Sequence, residues 1–242
     1  MSPDDPSVVK NETGAATPRR QLYGRAKGKA LRPAQSQRLA DILPRLQIDL
    51  DRLKAGPATL FPAAPQRIVL EIGFGGGEHL AAMARAEPES GFLGVEPFLN
   101  GVAKLLGQVE AEGLENLRLL RGDGRDVLVR LPDASLDAVY LLYPDPWPKR
   151  RQRKRRIVDP TFVAELARVI RPGGEFRFAS DIDDYVGWTL ARVLPNRDFQ
   201  WLAREAADWR EPWAGWHRTR YEEKAIREGR VPSYLRFVKR GA

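Results

Sequence analysis

Five acidic residues stand at the ends of five short apolar runs. Glu71 closes the first run, Arg67–Ile72, and Glu96 follows the second at 92–95. Asp123 follows the third, Leu117–Leu120, Asp145 the fourth at 138–143, and Asp181 the fifth at 175–179. One carboxylate after a strand is ordinary turn chemistry. Five would deliver negative charge to one rim, because ligands of open α/β sheets bind beyond the carboxyl ends of the strands. Such a rim suits a cationic, donor-rich ligand.

The glycines after the first run narrow that ligand. Gly73-Phe74-Gly75-Gly76-Gly77-Glu78 lets backbone come close to a bound group. A dinucleotide turn needs Gly-x-Gly-x-x-Gly, and here the sixth position is Glu78. A carboxylate where a pyrophosphate would dock on a helix N-terminus would also repel it. The expected cofactor therefore lacks phosphates and carries positive charge, which S-adenosylmethionine does. Glu96 lies 19 residues past Gly77, a spacing suited to a ribose-binding carboxylate. Asp123 is expected to meet the adenine, and Glu71 to lie near the methionine moiety.

The fourth run leads into Tyr143-Pro144-Asp145-Pro146-Trp147-Pro148-Lys149. Prolines around Asp145 and Trp147 restrict φ and should hold this loop stiffly at a strand end. Trp147 could stack on a nucleobase or simply anchor the loop. At Lys149 a basic run begins, Lys-Arg-Arg-Gln-Arg-Lys-Arg-Arg over 149–156, with seven positive charges in eight positions. Residues 13–40 hold seven more and no acid, so with a net charge of +8 the rest of the chain sums to 8 − 7 − 7 = −6. A mildly acidic body with two concentrated basic segments is the footprint of a polyanion partner, most often nucleic acid.

These groups need a scaffold. Apolar runs alternate with helical stretches at Glu78–Ala86, 101–112, 126–131 and 161–170, and a further helix is expected at 184–194. That alternation predicts an α/β fold, a doubly wound, mostly parallel sheet with helices on both faces. Runs at 199–202 and 234–238 are expected to close it as an antiparallel terminal hairpin. Residues 1–18 read as a disordered tail. Residues 19–66 read as a basic segment and helix, split at Pro44, and 67–242 as the catalytic domain. Pro172-Gly173-Gly174 is expected to end one helix and turn into the next strand.

The strings LEIGFGGGEHL, GVEPF, RGD, YPDPWPKRRQRKRRIV, RPGGEFRFASD and TRYEEKAIREG together resemble the tRNA (guanine-N7)-methyltransferase family, which is built on the class I, Rossmann-like methyltransferase fold. The similarity runs from about Arg67 to the C-terminus and more weakly through YGRAKGKALRPAQ. The PDPWPK string with its basic continuation is the specific part, since every class I methyltransferase has a glycine turn. The resemblance implies cofactor contacts at Glu71, Gly73, Gly75, Glu96, Asp123 and Asp145, with Asp145 catalytic. It implies tRNA contacts at Lys149 and Asp181, at Thr219-Arg220-Tyr221-Glu222, and within Arg151, Arg153, Lys154, Arg155 and Arg156. It also implies that the target is a variable-loop guanine, position 46. The basic run lacks a histidine common in the family, and the N-terminal extension is additional.

Composition excludes other chemistries. With no cysteine there is no thiol nucleophile, disulfide or cysteine-ligated metal. Two histidines, His79 and His217, leave a metal site or a histidine-based triad unexpected. No apolar run spans a bilayer and no secretory leader is evident, so the expected compartment is the cytoplasm. The sequence leaves monomer and homodimer equally open.

Overall fold

The computed structural model describes Ala26 and residues 28–241, together with the backbone of two paired strands at Val8–Lys10 and Ala16–Pro18. The tail expected over 1–18 otherwise lies outside the described residues, as do Arg19, Arg20, Arg25 and Lys27 of the basic segment.

Seven strands form one sheet: β1 Arg67–Ile72, β2 Ser90–Val95, β3 Leu117–Leu120, β4 Leu136–Leu142, β5 Ile170–Ser180, β6 Phe199–Trp201 and β7 Ser233–Lys239. Their spatial order is β3-β2-β1-β4-β5-β7-β6. The first five are parallel, and β7 runs antiparallel between β5 and β6. Strand order reverses between β1 and β4, which opens a crevice at their carboxyl ends.

The nine helices of the described residues are α1 Pro33–Asp41, α2 Leu43–Leu46, α3 Glu78–Ala86, α4 Leu99–Glu112, α5 Gly124–Leu128, α6 Pro160–Val169, α7 Asp183–Val193, α8 Ala207–Arg210 and α9 Arg220–Arg227. Alternation along β1 sorts the core. Ile68, Leu70 and Ile72 face one apolar layer with Val127, Phe162, Leu166 and Tyr185 from α5, α6 and α7. Val69 faces the other layer, with Leu80, Val102, Leu105 and Leu106 from α3 and α4. The sheet is thus covered on both faces, and buried strands read as continuous apolar runs for that reason.

The segment before β1 packs onto this body. The expected split at Pro44 falls where α1 gives way to α2. Ile48 N–H donates to the Leu119 carbonyl (2.9 Å), and Ile48, Leu53 and Leu60 join the core. At the other end the structure differs from expectation. Helix α6 stops at Val169, and Pro172-Gly173-Gly174 lies inside β5 rather than between helix and strand. The pairing of β4 and β5 shifts register there, between Leu136 and Ala138. Gly174 is needed at that irregularity because a Cβ on it would meet the Asp137 carbonyl oxygen at 2.7 Å.

Candidate active site

A cavity of about 410 Å³ opens where strand order reverses. Its floor is Ile72, Val95 and Leu141 at the ends of β1, β2 and β4. Gly73 and Gly75 form one wall, and Glu96, Asp123 and Asp145 bring three carboxylates to it. Trp147, Lys154, Arg155 and Tyr221 form the rim on the side of the basic run and of α9.

The glycine turn is built by backbone that only glycine accepts cheaply: Gly73, Gly75 and Gly77 have φ of +75°, +58° and +77°. Nothing lies within 4 Å of where a Gly73 Cβ would point, so that position is open. Helix α4 approaches the turn so closely that a Cβ on Gly101 would sit 2.0 Å from the Gly75 carbonyl oxygen. Glu96 ties these parts together. One carboxylate oxygen accepts the Gly75 N–H (2.7 Å) and the other accepts the Phe98 N–H (2.8 Å). Burial pushes the Glu96 carboxyl above its ordinary range, against the opposing pull of those two backbone donors, and the negative charge of Asp145 adds to the rise. Burial likewise raises Asp145, although the residue is open to solvent through the cavity mouth. Two carboxylates held near each other in a partly dry space favour a cationic ligand, which would relieve both.

The cavity fits S-adenosylmethionine by its donor set. Acid side chains answer a sulfonium, an ammonium and sugar hydroxyls, and the apolar floor suits a purine. Asp123 caps α5, accepting the Arg125 N–H at 3.0 Å, which fixes its carboxylate at the wall. Glu78 contributes less to excluding phosphates than its sequence position suggests. Its carboxylate pairs with Lys104 and lies 3.9 Å from Arg220, so its charge is offset. The exclusion of a dinucleotide rests instead on the glycine spacing.

Glu71 stands off the cavity wall. It is buried and its carboxylate meets His79 Nδ1 at 2.8 Å. Alternation explains this: Ile72 reaches the cavity, so its neighbour Glu71 turns to the other face, toward α3. His79 in turn packs against Tyr140 and Trp216, making Glu71 part of an internal polar pair beneath the glycine turn.

The loop after β4 is held in an unusual conformation. Tyr143 and Trp147 have φ of +49° and +42°, positions that cost side-chain-bearing residues about 1–3 kcal/mol each. Asp145 lies between them and faces the cavity. The basic run continues as 3-10 turns over Arg150–Arg155. Lys149, Arg151 and Lys154 are exposed, and Arg155 stacks its guanidinium 4.9 Å over the Trp147 ring.

Four residues expected to meet tRNA are engaged internally. Arg156 is buried, with its guanidinium donating to the Pro146 carbonyl (2.8 Å) and paired with Asp184, so its charge is engaged within the fold. Glu222 is buried, accepting Trp216 Nε1–H (2.8 Å) and the Tyr234 hydroxyl. Thr219 caps α9, its hydroxyl accepting the Glu222 N–H at 3.2 Å. Asp181 pairs with Arg230 at 2.5 Å. Within the same element Tyr221 is exposed and lines the cavity, and Arg220 lies over the Tyr221 ring. Sequence reasoning overlooked Arg125 and Phe98 as cavity residues. Arg125 reaches Asp159 (3.1 Å) and the Ile157 carbonyl (2.7 Å), bracing the chain beyond the basic run. Its signal was available, two residues after Asp123 in the RGDGR string.

Sheet order, glycine turn and an acid-lined crevice together define a class I methyltransferase, a class whose fold and family imply S-adenosylmethionine as methyl donor. Residues 65–233 match the family described as "Putative methyltransferase". A tRNA (guanine-N(7)-)-methyltransferase of Nitrobacter winogradskyi is 52% identical over 237 residues, covering 97% of this chain and 92% of that protein. One from Azorhizobium caulinodans is 54% identical over 218 residues, covering 90% and 94%. The chain belongs to the tRNA (guanine-N7)-methyltransferase family. Among solved structures, the 16S rRNA methyltransferase KamB superposes with a TM-score of 0.50 at 18% identity, over 78% of this chain and 92% of that one, and shares the fold. No helix among the described residues is long and apolar enough to cross a membrane.

Proposed function

We propose that this protein transfers a methyl group from S-adenosylmethionine to N7 of a guanine in tRNA, the variable-loop guanine at position 46. The observation that carries this reading is the cavity itself. Glu96, Asp123 and Asp145 line its interior, while Lys154 and Arg155 of the basic turn stand on its rim.

In that site Glu96 would hold the ribose hydroxyls, and Asp123 would face the adenine edge. Bound there, S-adenosylmethionine supplies an electrophilic methyl carbon on a sulfonium. Guanine N7 carries a lone pair and no proton, so no residue has to act as base. The new N–C bond would take that lone pair, and the S–C bond would break with its electrons going to sulfur. Positive charge therefore moves from sulfur to the purine ring. Asp145, on the cavity wall, would stabilise that charge or hold the base edge, and alignment would supply much of the remainder, roughly 7–11 kcal/mol in well-oriented reactions. Arg151, Lys154 and the neighbouring cations would grip phosphates, giving salt-sensitive affinity. N7 lies in the deep, narrow major groove of A-form RNA, so the target must be exposed by tRNA tertiary structure.

The test is transfer of labelled methyl to total tRNA, followed by chemical cleavage at 7-methylguanine. Cleavage at one variable-loop position is the expected result. Label in another base, or in no tRNA, overturns the reading.

A further inference from the structure

Helix α7 begins with two acidic residues, Asp183 and Asp184, and neither lines the cavity. Asp184 nonetheless joins the two segments the proposed reaction depends on. One of its carboxylate oxygens pairs with Arg156, and the other forms an ion pair with Arg153, whose Nη2 lies 2.8 Å away. Arg153 belongs to the exposed basic turn. The Arg156 side chain is 0% exposed, against 45% for Asp184. Its Nε–H donates to the Pro146 carbonyl at 2.8 Å, one residue past Asp145, and its Nη1 lies 3.4 Å from the Asp184 carbonyl oxygen. The guanidinium lies over the rings of Tyr185 (4.7 Å to the centroid) and Trp188 (4.9 Å). Trp188 is itself fixed, donating Nε1–H to the Val158 carbonyl at 2.7 Å. A wholly buried cation needs a charged partner, and the only carboxylate paired with Arg156 among the described residues is that of Asp184.

We propose that Asp184 is a positioning residue: through Arg156 it fixes the loop that carries Asp145, and through Arg153 it fixes the basic turn, so that one carboxylate sets the reacting loop and the tRNA-gripping turn in register. The inference rests on the methyl-transfer reading above. It explains why a tRNA-facing run contains a cation turned inward: Arg156 is the fastening of the run. It also divides the run by role. Lys149, Arg151 and Lys154 remain exposed toward a polyanion, while Arg153 is shared between the fold and the surface. A shift of about 1 Å in a reacting group can cost on the order of 100-fold in rate. Loosening this fastening should therefore slow transfer without emptying the cofactor cavity.

The test compares wild type with Asp184→Asn and Asp184→Glu, and adds Arg153→Gln, which cuts only the tie to the turn. For each variant kcat and KM for tRNA are measured per folded active site, with the Kd for S-adenosylhomocysteine measured separately. Asp184→Asn should lower kcat tenfold or more and keep the S-adenosylhomocysteine Kd within about twofold. Asp184→Glu should recover most of kcat, and Arg153→Gln should raise KM for tRNA. If Asp184→Asn lowers only Tm, with per-site kcat and KM as in wild type, the role is structural and the proposal fails. An S-adenosylhomocysteine Kd that weakens in step with kcat also overturns it, because the cavity itself would then have collapsed. If Asp184→Asn does not fold, Arg153→Gln and Asp184→Glu still decide: wild-type KM in the first and failure of the second to support turnover refute the proposal. Wild type unable to methylate tRNA would instead refute the underlying reading.

Discussion

Gly101 gives a sharp test of how the cofactor turn is held. It lies in the first turn of α4, outside the cavity wall, and a Cβ there would sit 2.0 Å from the Gly75 carbonyl oxygen. Ordinary contact begins near 3.4 Å, so Gly101→Ala must open a gap of about 1.4 Å between helix and turn. Neither side is the tip of a flexible side chain, so backbone has to move. Overpacking of this kind costs about 1–3 kcal/mol. In a chain of this size each kcal/mol lowers Tm by about 2–4 °C, predicting a fall of roughly 2–12 °C. The displaced turn carries the Gly75 N–H away from Glu96, so affinity for S-adenosylhomocysteine should fall tenfold or more, measured by titration calorimetry. Gly107 is the control within the same helix. Its Cβ would meet nothing nearer than the flexible Arg38 guanidinium, at 3.7 Å. Gly107→Ala should raise stability by up to about 1 kcal/mol through helix propensity and leave affinity unchanged. A Gly101→Ala protein with wild-type Tm and affinity would refute the tight coupling of α4 to the glycine turn.

Asp145→Asn should abolish most methyl transfer while Tm is unchanged or higher, because burial already disfavours the charged form of this group; thermal melting and single-turnover transfer check both halves. Acidification should weaken cofactor binding at a pH above the ordinary carboxylate range. Glu96 and Asp145 are both raised, so they protonate early, and the stability cost of their charges appears as pH rises from the unfolded value through the folded one. A calorimetric pH series that shows flat affinity down to pH 4 would contradict this. Asp184 behaves oppositely: its hydrogen bond to Arg156 depresses its carboxyl, so its contribution is present above the unfolded pKa and is lost as pH falls through the folded one. Replacing Arg151 and Lys154 together by Gln should raise KM for tRNA and reduce the slope of log affinity against log salt by roughly 1.4–1.8, two phosphate contacts' worth, with cofactor affinity unchanged. An unchanged slope would remove both residues from the RNA surface.

Much of the fold is legible in the sequence because parallel strands buried on both faces are continuous apolar runs. Arg67–Ile72 and Leu117–Leu120 are bounded by turn chemistry at both ends and need no tertiary information. Helix α3 starts where the left-handed Gly77 ends the turn. The kink at Pro44 follows from covalent geometry alone. The Pro172-Gly173-Gly174 stretch misleads because its residues serve a register shift inside β5, and such an irregularity depends on the neighbouring strand. The carboxylates show the same division. Glu96, Asp123 and Asp145 lie past their strands, where the chain turns outward, and they reach the cavity. Glu71 is still within β1, so pleat alternation decides its side, and its partner is His79, in the first turn of α3 just past Gly77. Asp181 follows its strand as expected, but the partner that occupies it, Arg230, is 49 residues distant. The basic run shows the limit most clearly. Its seven cations look alike in sequence, yet Arg156 is buried because Asp184, Tyr185 and Trp188 converge on it from α7. Charge composition locates a concentrated basic segment, but only three-dimensional pairing says which of its cations turn outward.

The most direct test is a crystal structure with S-adenosylhomocysteine bound. The account predicts the ribose on Glu96, the adenine beside Asp123 over Ile72 and Val95, and the sulfur facing Asp145 across the open space at Gly73. A ligand seated anywhere else, or one whose ribose leaves Glu96 untouched, would contradict it.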